Sequence, residues 1–170
     1  RDTALDLSGL LVEKIGGPSV KPYQPLNIWN EVSLNGGLRY KRDNGEKLYR
    51  RSMYTYWKRS APMPNMLIFD APTREKCMIQ RPITNTPLQA LVTLNDPQFV
   101  EAARALGQRL IKEGGNGTAS RIDYGFKLTL SRPATNSEVK VIERVLGDQL
   151  ARFRNDPAKA REFLSVGEMA

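Results

Sequence analysis

The stretch Thr86-Pro-Leu-Gln-Ala-Leu-Val-Thr-Leu-Asn-Asp-Pro-Gln-Phe-Val100 decides the fold class, because it holds the start signals of two successive helices. Thr86 suits an N-cap, Pro87 suits the first helical position, and Gln89 completes a capping box. Asp96-Pro97 repeats the combination of cap and proline. Apolar residues then recur at helical spacing, at Phe99, Val100, Ala103, Leu106, Leu110 and Ile111.

The same signals continue toward the C-terminus. Thr118 is a candidate cap for a helix that Pro133 ends, and Thr135-x-x-Glu138 forms a second capping box. Asp156-Pro157 opens a last short helix that reaches about residue 166. The helix behind the second capping box carries an apolar stripe of Val139, Ile142, Leu146, Leu150 and Phe153.

The first half of the chain is more irregular. Periodicity predicts helices over 3–15 and 48–59, and a shorter one over 73–78. The Asn44-Gly45 step favours a type I′ hairpin within 36–47, with a loop as the alternative. The sequence therefore predicts a mainly α fold, a single helical domain over residues 1–170. Irregular proline-rich loops and one short β-hairpin, or a loop in its place, complete the first half.

Composition excludes several kinds of chemistry. The 170 residues include no histidine and one cysteine, Cys77. Histidine-based nucleophile activation, histidine-ligated zinc and haem attachment are therefore excluded within this chain. We expect no cofactor or metal in this chain. No apolar run approaches the roughly 18 residues of a membrane span.

Positive charge concentrates in one segment. The net charge is +8, and residues 39–60 hold eight basic residues against two acidic ones. Within 48–59, basic and aromatic residues alternate, which suits either an anionic polymer or an amphipathic helix with a solvated charged face. We favour the helix, with Trp57 in the core. The candidate anion- or partner-binding residues are Arg50, Arg51, Trp57, Lys58, Arg59, Arg74 and Arg81.

The remaining reactive groups do not form a catalytic constellation. Cys77 lies near Arg74 and Arg81, which would lower the pKa of a thiol, but its apolar neighbours Met78 and Ile79 favour a buried, inert residue. The carboxylates show no spacing typical of an acid–base pair. We therefore expect no catalytic residue in the chain alone.

Five segments resemble one family. The three that carry most of the resemblance are 48–59, 69–77 and Thr84-Asn-Thr-Pro-Leu-Gln-Ala-Leu-Val-Thr-Leu-Asn-Asp-Pro-Gln-Phe-Val-Glu-Ala-Ala103. The other two are 16–25 and Tyr124-Gly-Phe-Lys-Leu-Thr-Leu-Ser-Arg-Pro133. The chain thereby resembles the planctomycete-specific domain of unknown function 1553. This resemblance implies a fragment of a large exported protein, periplasmic or at the cell surface, with a c-type cytochrome domain and haem c elsewhere in the parent. It also implies a further C-terminal segment, whose loss would expose apolar surface.

Three functions follow as hypotheses. The first is a non-catalytic docking or scaffold domain whose partners are other domains of the parent chain. The second is a module that binds an anionic polymer or polysaccharide through 48–59. The third is a subdomain of an enzyme whose site other domains complete. Specific nucleic-acid binding is not favoured, because the chain carries no nucleic-acid-binding motif.

Overall fold

The computed structural model describes residues 1–32 and 39–169, and within them the protein is mainly helical. None of the helices in these two ranges is both long and apolar enough to cross a bilayer. Eight α-helices occur in the described residues: α1 Asp2–Ser8, α2 Ile28–Glu31, α3 Pro64–Ile68, α4 Pro87–Asn95, α5 Pro97–Glu113, α6 Thr118–Leu130, α7 Asn136–Asn155 and α8 Pro157–Leu164.

The chain divides into two compact units. The helical unit comprises Arg1, Thr3–Leu10 and the chain from Val100 onward. The loop-rich unit comprises Asp2 and Leu11–Phe99. The single domain expected from the sequence stays a prediction.

The predicted helix starts are confirmed at Thr86, Thr135 and Asp156. The cap predicted at Thr118 is wrong, because Thr118 is the first residue of α6 and Gly117 precedes it as the N-cap. The Thr86 hydroxyl accepts the backbone N–H of Gln89 at 3.3 Å, and the Gln89 side chain accepts the backbone N–H of Thr86 at 3.2 Å. Thr135 and Glu138 form the same reciprocal pair at the start of α7. Asp156 accepts the backbone N–H of Lys159 at 3.1 Å and caps α8. Each of these hydrogen bonds satisfies a backbone N–H group that has no acceptor within the first turn of its helix.

The loop-rich unit is built on extended segments and not on the helix predicted over 48–59. That prediction is wrong: two short 3-10 helices, Gly45–Tyr49 and Ser52–Tyr54, flank extended residues. Isolated parallel bridges join Val12 to Arg50 and Val20 to Thr55. Because these long-range backbone pairs need extended chain, they override the local helical spacing.

Three other local predictions differ from the structure. The helix expected over 3–15 ends at Ser8, because Gly9 takes a left-handed φ of 76°. The stretch 73–78 is irregular, with bends at 74–76 and Arg74 at φ 63°. Asn44 has φ −128° and precedes a 3-10 helix, so the type I′ turn is wrong there. The hairpin's residues 36–38 lie outside the described residues.

The core of the helical unit lies along α5. Its buried apolar residues are Leu5 of α1, Val100, Ala102 and Ala105 of α5, and Ile122 of α6. Glu101 is 1% exposed, and its carboxylate accepts the backbone N–H groups of Glu168 and Met169, each at 2.7 Å. Arg104 donates to the carbonyls of Leu164 and Met169. Two charged side chains of α5 thus fix the segment after α8.

Candidate binding surfaces

Arg50 is a structural residue of the loop-rich unit. It is 5% exposed, and its guanidinium donates to the carbonyls of Pro18 and Lys14 at 3.0 Å and also to that of Gly16. The same group lies 3.8 Å from the centre of the Tyr54 ring. Because carbonyls of one turn occupy its donors, Arg50 holds 14–18 in place and does not form part of an exposed anion-binding surface.

The other predicted basic residues are dispersed. Arg51 pairs with Glu13 at 3.4 Å and Arg59 pairs with Glu75 at 2.7 Å, so nearby carboxylates screen two of the exposed charges. Arg81 is exposed. The structure therefore does not gather the 48–59 charges into one patch, and binding of an anionic polymer there stays a prediction.

Trp57 and Cys77 differ from what the sequence suggested. Trp57 is only partly buried, and the Arg74 guanidinium lies 5.1 Å from its ring centre, so this tryptophan lies at the edge of the core. Cys77 is exposed as a free thiol, which corrects the buried placement that its apolar neighbours favoured. Met78 and Ile79 are exposed as well, because this stretch forms no helix that would turn them inward.

The buried tryptophan is Trp29, to which the sequence-based predictions assigned no role. Trp29 is 6% exposed and packs against the rings of Tyr40 at 5.2 Å and Tyr56 at 5.6 Å between centroids. The Lys58 ammonium lies 4.6 Å from its ring centre, and that of Lys21 lies 5.6 Å away. An aromatic residue directly after Leu26-Asn27-Ile28 is the only local sign that Trp29 could be buried. The residues that cover it, Tyr40, Tyr56 and Lys58, are distant in sequence.

Two cavities adjoin this cluster within the loop-rich unit. The larger, about 760 Å³, has mostly apolar walls that include Tyr23, Leu91 and Val92. The smaller, about 400 Å³, is lined by Trp29 and by polar side chains. Gln24, Pro25, Leu26 and Tyr40 line both. Volumes of this order suit a small molecule or a short segment of chain.

The helical unit presents an apolar face on α7 and α8. None of the twenty residues of α7 is buried, although α7 contacts both α6 and α8. Phe153 and Phe163 join α7 to α8 at 5.8 Å between ring centroids. Seven large apolar side chains of this face are 37–54% exposed: Val141, Ile142, Val145, Leu146, Leu150, Phe163 and Leu164. We call these seven residues the α7–α8 face.

The titratable groups with shifted pKa values in the helical unit serve the structure. Hydrogen bonds from the Arg132 guanidinium, then from Thr135, lower the pKa of Glu138 to about 2. A hydrogen bond from Tyr124 and then one from Arg109 lower the pKa of Glu113, and the same bond raises the pKa of Tyr124. These pairings favour a stable charged carboxylate and a neutral phenol, and therefore not a proton exchange near pH 7. In the described ranges, no cluster of three metal-ligating side chains occurs.

Comparison with known proteins gives one match. No curated protein and no solved structure is significantly similar to the chain. A family model, PSD1, described as a protein of unknown function (DUF1553), matches residues 1–146. This match covers most of the 170 residues and includes all the segments that carry the resemblance noted in the sequence. The chain therefore belongs to the PSD1 family of proteins of unknown function (DUF1553).

Proposed function

We propose that this chain is a docking domain that packs its α7–α8 face against another domain of the same exported protein. One observation carries the proposal: α7 is twenty residues long, carries a continuous apolar stripe, and buries none of its residues. A surface helix of a globular unit normally buries that stripe.

Fully burying one large aliphatic or aromatic side chain contributes about 1.5–3 kcal/mol. Leu146, Leu150 and Phe163 are each 40–49% exposed, so a large part of their apolar surface is still open to a partner. Contiguous apolar patches of this kind typically mark interaction surfaces.

Arginines at one end of the α7–α8 face indicate the charge that a partner should carry. Arg152 and Arg154 of α7 and Arg161 of α8 have no carboxylate partner among the described residues, whereas Lys159 is paired with Asp156 at 3.2 Å. A partner with an apolar stripe and carboxylates at one end complements this arrangement. An amphipathic helix with acidic flanking residues has that chemistry.

The family resemblance supports the location and the partner. It implies a large exported parent protein with a c-type cytochrome domain, so the docking partner belongs to the same polypeptide. In this proposal, haem c resides in that other domain and the present chain contributes only the surface that holds it. No residue of this chain is assigned a catalytic role.

The test is a calorimetric titration of this chain with the separately expressed neighbouring domains of its parent protein. We expect binding with a negative heat-capacity change, because apolar surface is buried. Leu146→Asp should weaken the binding by about tenfold or more, since it places a charge in the apolar contact.

Ala151→Asp is the matched control. Ala151 is exposed on the opposite side of α7, so this variant adds the same charge with a similar effect on helix propensity. It should leave the affinity nearly unchanged. Absence of binding, or equal loss in the two variants, would refute docking through this face.

A further inference from the structure

The smaller cavity of the loop-rich unit has walls rich in hydrogen-bond donors. Its volume is about 400 Å³, and it has similar polar and apolar character. Pro25, Leu26 and Tyr40 supply its apolar surface. Its polar lining comes from three amides and one guanidinium, those of Gln24, Asn27, Asn30 and Arg39, and none of the described residues that line it is acidic.

Several donors at this cavity lack an acceptor. The side-chain nitrogens of Gln24 and Trp29 are shielded from solvent and make no hydrogen bond to the described residues. The exposed Arg39 guanidinium has no ion pair among those residues. Buried donors without partners are uncommon in folded proteins, because each loses its hydrogen bond to water without replacement. The side chains around the cavity therefore include two donors without an acceptor among the described residues, beside one internal pair in which the Asn30 amide donates to the side-chain oxygen of Asn27 at 3.1 Å.

A partly buried cation adds positive charge near the cavity. The Lys58 ammonium is shielded from solvent, has no hydrogen-bond partner in the described residues, and lies 4.6 Å from the Trp29 ring centre. Lys21 faces the same ring, and its backbone N–H donates to the Asp43 carboxylate at 2.8 Å. A partly buried ammonium without a counterion favours a negative group nearby, since its field is weakly screened there.

We propose that this cavity binds a sugar acid of the hexuronate class. The ligand's carboxylate pairs with the planar guanidinium of Arg39, which suits two carboxylate oxygens. Its hydroxyls bond the amides of Gln24, Asn27 and Asn30, which can both donate and accept. The carbon face of the sugar ring lies on Tyr40 and its apolar neighbours. A cavity of about 400 Å³ accommodates one such ring.

The experiment is an NMR titration of the whole chain with glucuronate. The reporter is the indole N–H resonance of Trp29, which a Trp57→Phe variant distinguishes from that of Trp57. We expect glucuronate to shift the Trp29 resonance in a saturable way. Glucose and acetate, each of which supplies half of the ligand's chemistry, should bind about tenfold more weakly or worse.

Two arginine variants separate the site from general charge. Arg39→Gln should weaken glucuronate binding by about tenfold or more, whereas Arg59→Gln removes the same charge from an exposed residue paired with Glu75 and should not. Unchanged melting temperatures would show that both variants fold. No saturable shift with glucuronate, equal binding of acetate, or equal loss in both variants would each overturn the proposal.

Discussion

Gly167 shows how one residue without a side chain fixes the segment after α8. Its φ is 94°, and a Cβ built there would lie 2.4 Å from the carboxylate of Glu101. Gly167→Ala should therefore destabilise the fold by about 1–3 kcal/mol or more, because it combines backbone strain with a clash against a buried charge. Chemical denaturation measures the change in the free energy of unfolding.

Gly147 provides the control for that variant. It lies within α7, and nothing stands within 4 Å of the position of an added Cβ. Gly147→Ala should stabilise the protein by about 0.5–1 kcal/mol, since alanine loses less conformational freedom in a helix. Destabilisation by both variants, or by neither, would contradict the role assigned to Gly167.

Glu138 makes the stability of the folded chain depend on pH in the acidic range. Its pKa falls from the ordinary 4.5 to about 2 in the folded chain, first because of Arg132 and then because of Thr135. A lowered folded pKa means that the stabilisation is complete above about pH 4.5 and is lost as the pH falls toward 2. We expect Glu138→Gln to flatten the loss of stability over this window, as measured by thermal melts at a series of pH values. An unchanged pH profile would show that Glu138 is not coupled to folding.

At the scale of the element, α7 makes the clearest prediction. Leu146 is 40% exposed on a helix without buried residues, so Leu146→Asp should change the stability of the isolated chain by no more than about 1 kcal/mol. A large loss, on the order of the 2–5 kcal/mol typical of core leucines, would show that this chain itself covers the residue. Thermal and chemical denaturation, beside Ala151→Asp, provide the measurement.

Local signals located those helices whose ends are set by their own residues. The caps at Thr86, Thr135 and Asp156 form hydrogen bonds to residues three positions later, so the sequence alone contains both partners. Phe99 and Val100 likewise begin a stripe that α5 presents at helical spacing. At these three helix starts, where both partners of the capping contact are local, the predictions were confirmed.

The helix predicted over 48–59 is wrong because the contacts that shape this segment are not local. Arg50 and Thr55 take extended backbone because they pair with Val12 and Val20, which are more than thirty residues away. No local pattern encodes such a pair, and the spacing of aromatic residues happened to fit a helix. The same dependence on distant residues hides Trp29, whose burial requires partners from several separate segments.

At the scale of the whole molecule, the sequence predicted the chemical character of the candidate surfaces but not their location. The sequence indicated apolar exposure and basic–aromatic chemistry, and the structure contains both, the first on α7 and α8 and the second around Trp29. It did not indicate the cavities. The walls of the larger one join residues 23–26, Tyr40 and Arg42 to residues between 91 and 97, and those of the smaller one join residues between 24 and 30 to Arg39 and Tyr40. Cavity walls of this kind follow from tertiary packing and leave no periodic trace in the sequence.

The last prediction concerns the number of cooperative domains. Helix α5 begins in the loop-rich unit at Pro97–Phe99 and continues in the helical unit from Val100, so one hydrogen-bonded helix contains the boundary. The second boundary falls inside α1, since Asp2 binds the backbone of Ser52 while Thr3–Leu10 belong to the helical unit. Because helix formation is itself cooperative, disrupting either unit should disturb a helix of the other. We therefore expect one calorimetric transition with an enthalpy on the order of 120 kcal/mol, equal to its van't Hoff value. Two resolved transitions, or a van't Hoff enthalpy well below the calorimetric one, would instead show that the units unfold separately.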